Sequence, residues 1–230
     1  MADPLFTSKA DVAYARIRQQ ILDGSLEAGS PLAQYELAAE LGISITPLRE
    51  AVRRLSGEGW IRLDTHRNAR VAELDLHEAR QLLEARRALE PAAVALAAER
   101  RTDEDVVRMQ AALKRLKPVT RRWGETALAA HREVHRALYS ASHNDVVVRM
   151  LDDLWDKSDR YRRVGLQLPP GGEDRTRDFE EHHELVRFVV DGDAAAASEL
   201  MTAHIDHSLA AAVLAADTER DASSLPAGRL

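Results

Sequence analysis

Among nine histidines in the chain, His131 and His135 stand four residues apart in the stretch LAAHREVHRAL. Helical spacing puts Leu128, His131, His135 and Leu138 on one face, and that face is apolar. Further on, Phe179, His182, Val186 and Val189 share a face in the same way, and Met201, His204 and Ser208 form one stripe. Two imidazoles one helical turn apart can grip a single ion. A lone inward histidine is ordinarily a core residue satisfied by a hydrogen bond. Several unpaired imidazoles in one core are costly, and a shared cation removes that cost. His131, His135, His182 and His204 are therefore candidate ligands of one divalent metal. His183 and His207 would replace their neighbours if the register differed by one residue. His66, His77, His143 and His207 suit the surface better. A metal-free pocket lined by the same histidines stays open as a reading.

The elements that must position these residues are helical. From Leu74 to about Ala215 the pattern predicts five or six helices: about 76–101, one starting at the capping-box pair Thr102 and Asp105, then about 125–141, 145–164, 176–191 and 193–215. LPPGG reads as a loop. The first 74 residues read differently. Val12, Ile17, Ile21 and Leu22 mark a helix over 9–23, a short helix follows over about 34–41, and a third runs from Ser44 to about Ser56. WIRL and ARVAEL then read as two short strands joined by the polar DTHRN. The expected architecture is mainly α: a winged helix-turn-helix over 1–74, an all-α antiparallel bundle over 75–217, and a flexible tail over 218–230.

The 230 residues are 45% apolar and 30% charged, which suits a packed core. With no cysteine in the sequence, disulfides and thiolate metal sites are excluded. The first residues lack a signal-type apolar segment, and no stretch approaches the ~20 apolar residues of a membrane span, so a cytoplasmic protein is expected. The net charge of −6 argues against nucleic acid, but between Ser44 and Arg70 six arginines face three acidic residues, a local +3. One basic end on an acidic body is compatible with DNA binding by that end alone.

Within that end, QYELAAELGISITPLREAVR fits a helix-turn-helix at each constrained position. Leu37, Leu41, Ile43 and Leu48 supply a shared core, and Ala38 and Ala51 permit close helix contact. Gly42 sits where the turn needs a left-handed backbone. Ser44 is placed to cap the next helix, and Pro47 falls in its first turn. An ordinary α-hairpin is the plain alternative; the arginines and the following hairpin favour DNA.

ELAAELGIS.TPLREAVRRLSGEGWIRL resembles the winged-helix domain of the GntR superfamily of bacterial transcription regulators. LDLHEARQLLEARRALEPAAVALAAER, HREVHRALYSASHN and EEHHELVRFVVDGDAAAASELMTAHI resemble the FCD effector domain of its FadR-like subfamily. The likeness covers about residues 12–215. It implies DNA contacts by Tyr35, Ser44, Ile45, Thr46, Arg49 and Arg53, with His66, Arg67 and Asn68 on the wing. Arginine is usual where Ile45 stands, and often where Tyr35 stands. An arginine paired to guanine carries ~1–3 kcal/mol of base discrimination, so an operator shifted from the common pattern is expected. Asn68 stands where glycine is usual, and asparagine tolerates positive φ.

The same likeness implies a metal held by His131, His135, His182 and His204, with histidine at the first position in place of the usual aspartate. Four imidazoles favour zinc or nickel over oxygen-seeking ions. Arg86 is expected to bind the carboxylate of a small effector, or else to pair with Glu90 one turn on. The overall expectation is a ligand-responsive repressor acting as a homodimer on an inverted repeat. Two rivals remain: a metal sensor, and a helical metal-dependent hydrolase, against which Glu133 lies off the ligand face.

Overall fold

The computed structural model describes residues 8–64, 68–120, 122–167 and 176–208. The chain divides into two compact units, Met1–Asp75 and Leu76–Leu230. The expected tail and the LPPGG loop lie outside the described residues.

In the first unit, α1 (Lys9–Leu22) opens on a capping box in which Ser8 and Asp11 each bond the other's backbone N–H. Its buried stripe is Ala10, Ala13, Ile17 and Ile21, while Val12 points outward. The small alanines let α1 lie close on α3 (Ile45–Gly57). Between them α2 (Gln34–Glu40) contributes Leu37 and Ala38. Gly42 adopts φ 64°, as the turn requires. Ser44 is the N-cap of α3 by backbone position, but its side chain makes no capping bond; the sequence-based cap is corrected to that extent. Pro47 occupies the third helical position, where its missing N–H would have had no helical acceptor.

The hairpin is shorter than expected: β1 (Ile61–Leu63) pairs antiparallel with β2 (Ala69–Val71). Leu32 N donates to Ala69 O at 2.8 Å and Val71 N to Ser30 O at 2.9 Å, so the segment before α2 ties β2 down. Leu48, Val52, Leu55, Trp60, Ile61 and Val71 close one apolar core with α1 and α2.

The second unit holds six helices among the described residues: α4 (Leu76–Arg100), α5 (Asp103–Arg115), α6 (Gly124–Ser140), α7 (Asp145–Gln167), α8 (Thr176–Asp191) and α9 (Ala194–Asp206). Helix α4 packs against α6, α7, α8 and α9, and α5 against α6 and α8. Val94, Met109, Val134, Leu138, Leu185, Val189, Met201 and Ile205 form its main apolar core. The Thr102–Asp105 capping box forms as predicted. Asp105 also takes His143 Nε2 at 2.7 Å, so His143, exposed as expected, also partners a buried carboxylate. Pro91 sits inside α4, where it lacks the N–H that would bond the Arg87 carbonyl. Helix α9 ends at Asp206 with His207 as its C-cap, earlier than the expected Ala215; residues 209–215 lie outside the described chain. No helix among the described residues is long and apolar enough to cross a membrane.

Candidate functional site

The first unit offers an exposed face. Tyr35 is 71% exposed; Ser44, Thr46, Arg53 and Asn68 are exposed as well, and Arg49 is half-buried. Ile45 is half-buried and packs on the unit's core, which leaves part of its side chain for any outside contact. His66 and Arg67 fall outside the described residues. Asn68 N donates to Asp64 Oδ1 at 3.0 Å, closing the base of the wing. Its φ is not positive, since His143 holds the one positive φ among described non-glycine residues; tolerance of positive φ is thus not what Asn68 provides.

Not every arginine of the basic end faces outward alone. Arg54 pairs with Asp11 at 2.6 Å and stacks on Tyr14 at 4.3 Å. Arg62 stands directly across from Arg70 in the hairpin, both exposed. Like charges directly opposite oppose strand pairing, and a polyanion laid against them relieves that repulsion. Sequence reading counted these two arginines in the charge balance without placing them together.

The second unit offers a buried centre. Helix α6 contributes His131 and His135, α8 His182 and α9 His204; all are buried, and one ligand atom from each lies within 4.8 Å of the others. The predicted register is correct: His183 and His207 are exposed. His135 Nε2 lies 3.1 Å from His182 Nε2 and 3.2 Å from His204 Nε2.

The opposite ring nitrogens explain what these short approaches mean. His135 Nδ1 is 3.1 Å from Glu90 Oε2, His204 Nδ1 is 2.8 Å from Glu181 Oε2, and His182 Nδ1 is 2.5 Å from the Asp178 carbonyl oxygen. A carboxylate or carbonyl oxygen accepts, so each Nδ1 donates its proton. In the neutral rings that leaves three Nε2 lone pairs converging on one another. Protonation is a poor remedy in this interior. Burial pushes His135 down to about 3, although Glu90 opposes the shift, and burial pushes His182 down to about 4. Burial and then the Arg162 charge hold His131 well below the usual histidine range. A divalent cation among the lone pairs satisfies them all, and the outward N–H bonds are the orienting contacts that metal-binding histidines ordinarily carry. The donor set fits such an ion.

His131 adds a buried Nδ1 with no hydrogen-bond partner among the described residues. Its Nε2 is 3.6 Å from Asp178 Oδ1, and His204 Nε2 is 4.0 Å from the same oxygen. A carboxylate of α8 thus borders the centre.

Arg86 makes the ion pair with Glu90 that its spacing allowed. Its Nε donates to Glu90 Oε1 at 2.5 Å, inside the bundle, while Nη1 has no partner among the described residues. Burial alone would raise the Glu90 carboxyl; the Arg86 charge and the His135 hydrogen bond bring it to about 2. Glu133 pairs with Arg115 at 2.9 Å on the surface, off the ligand face as its spacing predicts. The orienting Glu90, Asp178 and Glu181 were missed as site residues. Their signal was positional: Asp178 precedes His182 by one turn and Glu181 adjoins it.

Comparison with known proteins matches both units. The pattern of the gntR family of bacterial regulatory proteins matches residues 9–71, and that of the FCD domain matches residues 81–207. The HTH-type transcriptional regulator McbR of Escherichia coli K12 is 30% identical over 140 residues, 60% of this chain and 63% of McbR, so that match spans under two thirds of the relative's length. The HTH-type transcriptional repressor GlaR of the same organism is 26% identical over 198 residues, 84% of this chain and 90% of GlaR. The solved structure of E. coli McbR/YncC superposes with a TM-score of 0.76 at 24% identity, covering 93% of this chain and all of that one, which speaks for the fold. With a winged helix at one end and a histidine-centred helical domain after it, the chain belongs to the GntR family of bacterial regulatory proteins, as a DNA-binding regulator that carries an FCD domain.

Proposed function

We propose that the protein is a ligand-responsive transcription repressor that works as a homodimer on an inverted-repeat operator. Repression is the sense its relative GlaR is named for. The winged helix would present Ser44, Thr46, Arg49 and Arg53 to the major groove, with Tyr35 beside them and the wing residues His66, Arg67 and Asn68 toward backbone or minor groove. In the FCD domain His131, His135, His182 and His204 would hold one divalent ion, zinc or nickel by the nature of four imidazoles. A bound ion supplies positive charge that favours an anionic ligand. Arg86 offers its remaining Nη1 to the carboxylate of a small organic acid. Such an effector switches the protein only if it binds the DNA-competent and incompetent states unequally.

The observation that carries the reading is the convergence of three Nε2 lone pairs whose rings are locked by Glu90, Asp178 and Glu181. The test is elemental analysis of untagged protein purified without added metal or chelator, followed by operator-binding assays with and without organic acids. About one zinc or nickel per chain, with operator release by an acid, is the expected result. No metal after reconstitution would overturn the centre. Operator affinity that follows metal alone, with no response to any acid, would favour the metal-sensor reading instead.

A further inference from the structure

Helix α7 turns its buried stripe from apolar to polar as it passes the histidines. Leu151, Trp155, Ser158 and Arg162 follow at helical spacing and are all buried. The Trp155 ring lies 4.5 Å from the His135 ring and 5.8 Å from that of His131, centroid to centroid. Two guanidinium groups sit against the same indole: Arg86 Cζ at 4.1 Å and Arg162 Cζ at 5.0 Å from its centroid. Arg86 is 1% exposed and Arg162 2%.

Each arginine has one carboxylate, and each carboxylate is already shared. Glu90 gives Oε1 to Arg86 and Oε2 to His135. Asp159 gives Oδ1 to Arg162 at 2.7 Å and Oδ2 to Arg132 at 2.9 Å. What remains without a partner among the described residues is Arg86 Nη1, Arg162 Nη2, Trp155 Nε1 and Ser158 Oγ. Three of these are N–H donors and the fourth is a hydroxyl able to donate. Buried donors of this kind, two of them on full charges, are costly unless an acceptor reaches them. The Arg162 guanidinium is held below arginine's usual value, by burial foremost and also by the charge of Arg86.

Resting on the effector reading above, we infer that the effector of this domain is an organic dianion with two separate oxyanion groups, one taken by Arg86 and the other by Arg162 with Trp155 Nε1 and Ser158. The indole lies within cation–π distance of both guanidinium groups and holds them near one ring. A charge-assisted contact at each end reads the distance between two charges, which a monocarboxylate cannot reproduce. Arg162 and Trp155 are thus specificity-determining residues, and Arg86 is the shared anchor.

The experiment uses the full-length, zinc-loaded protein and titration calorimetry with malonate, succinate, glutarate, butyrate and inorganic phosphate. One of the three dicarboxylates is expected to bind at least tenfold more tightly than butyrate or phosphate. Arg162→Gln should lower that affinity at least tenfold and change butyrate binding less than twofold. Trp155→Phe, which keeps the stacked ring and removes the N–H, and Ser158→Ala should each lower dicarboxylate affinity severalfold; these two carry the test if Arg162→Gln fails to fold by circular dichroism. Butyrate or phosphate binding as tightly as every dicarboxylate, or variants that weaken butyrate and dicarboxylate equally, would overturn the dianion while leaving an anion sensor standing. Zinc-loaded protein that holds its operator and binds none of the five probes would overturn both readings together.

Discussion

The two units bury opposite kinds of residue. In the winged helix the described buried set is apolar, from Ile17 and Leu48 to Trp60 and Val71, and the described ion pairs such as Arg54–Asp11 are exposed. In the helical unit the interior admits four histidines, Arg86, Glu90, Arg162 and Glu181 beside its apolar core. A domain that reads a polymer from outside needs its polar groups at the surface and its core inert. A domain that encloses a small ligand must carry its polar groups inward, where each unpaired one weakens the fold. The difference places DNA recognition and effector recognition in distinct physical settings within one chain.

Metal removal should give the largest effect and should strike one unit alone. At a free-ion level of about 100 times its dissociation constant, a bound ion stabilises by about 3 kcal/mol. Chelation is therefore expected to lower the melting temperature of the helical unit by roughly 5–10 °C. Hydrogen exchange in α1 to α3 should stay unchanged; equal loosening of both units would break the contrast.

His131→Leu sharpens the same comparison in the opposite direction. It removes a buried Nδ1 that has no partner among the described residues, a group whose burial costs about 1–3 kcal/mol. The metal-free variant should melt higher than the metal-free parent yet bind less zinc. Thermal melts of the chelated proteins, set beside zinc titrations, check this; a lower melting temperature would mean that His131 is already satisfied in the parent.

The smallest effect on stability belongs to the surface of the winged helix. Arg53→Ala should leave the melt unchanged, weaken operator binding and shallow its salt dependence by about one unit of slope. Arg54→Ala breaks an exposed pair, worth little in stability, and should leave the salt slope alone because that guanidinium is engaged by Asp11 and Tyr14. Equal loss of operator binding by both variants would place Arg54 at the interface too.

Much of this was legible from local pattern. Helix period, capping boxes at Thr102 and the glycine turn at Gly42 depend on residues a few positions apart, so the element order follows from the chain itself, as does the inward face of each histidine. The errors came where short-range logic met tertiary alternatives. Val12 helps to mark α1 by its spacing yet is exposed, while the small Ala10 and Ala13 are buried with Ile17 and Ile21. Ser44 has the right type for a cap, and its backbone position alone serves.

The sequence by itself determined the two-part plan, the winged helix and which four histidines turn inward, because spacing along a helix sets the face of a side chain. Only the tertiary structure decided that Glu90 joins Arg86 to His135 across 45 residues of chain, that Asp178 borders the centre, and that two arginines share the Trp155 ring. Those contacts join different helices. Spacing along one helix sets which of these residues share a face, but the packing of the bundle determines which inward faces meet.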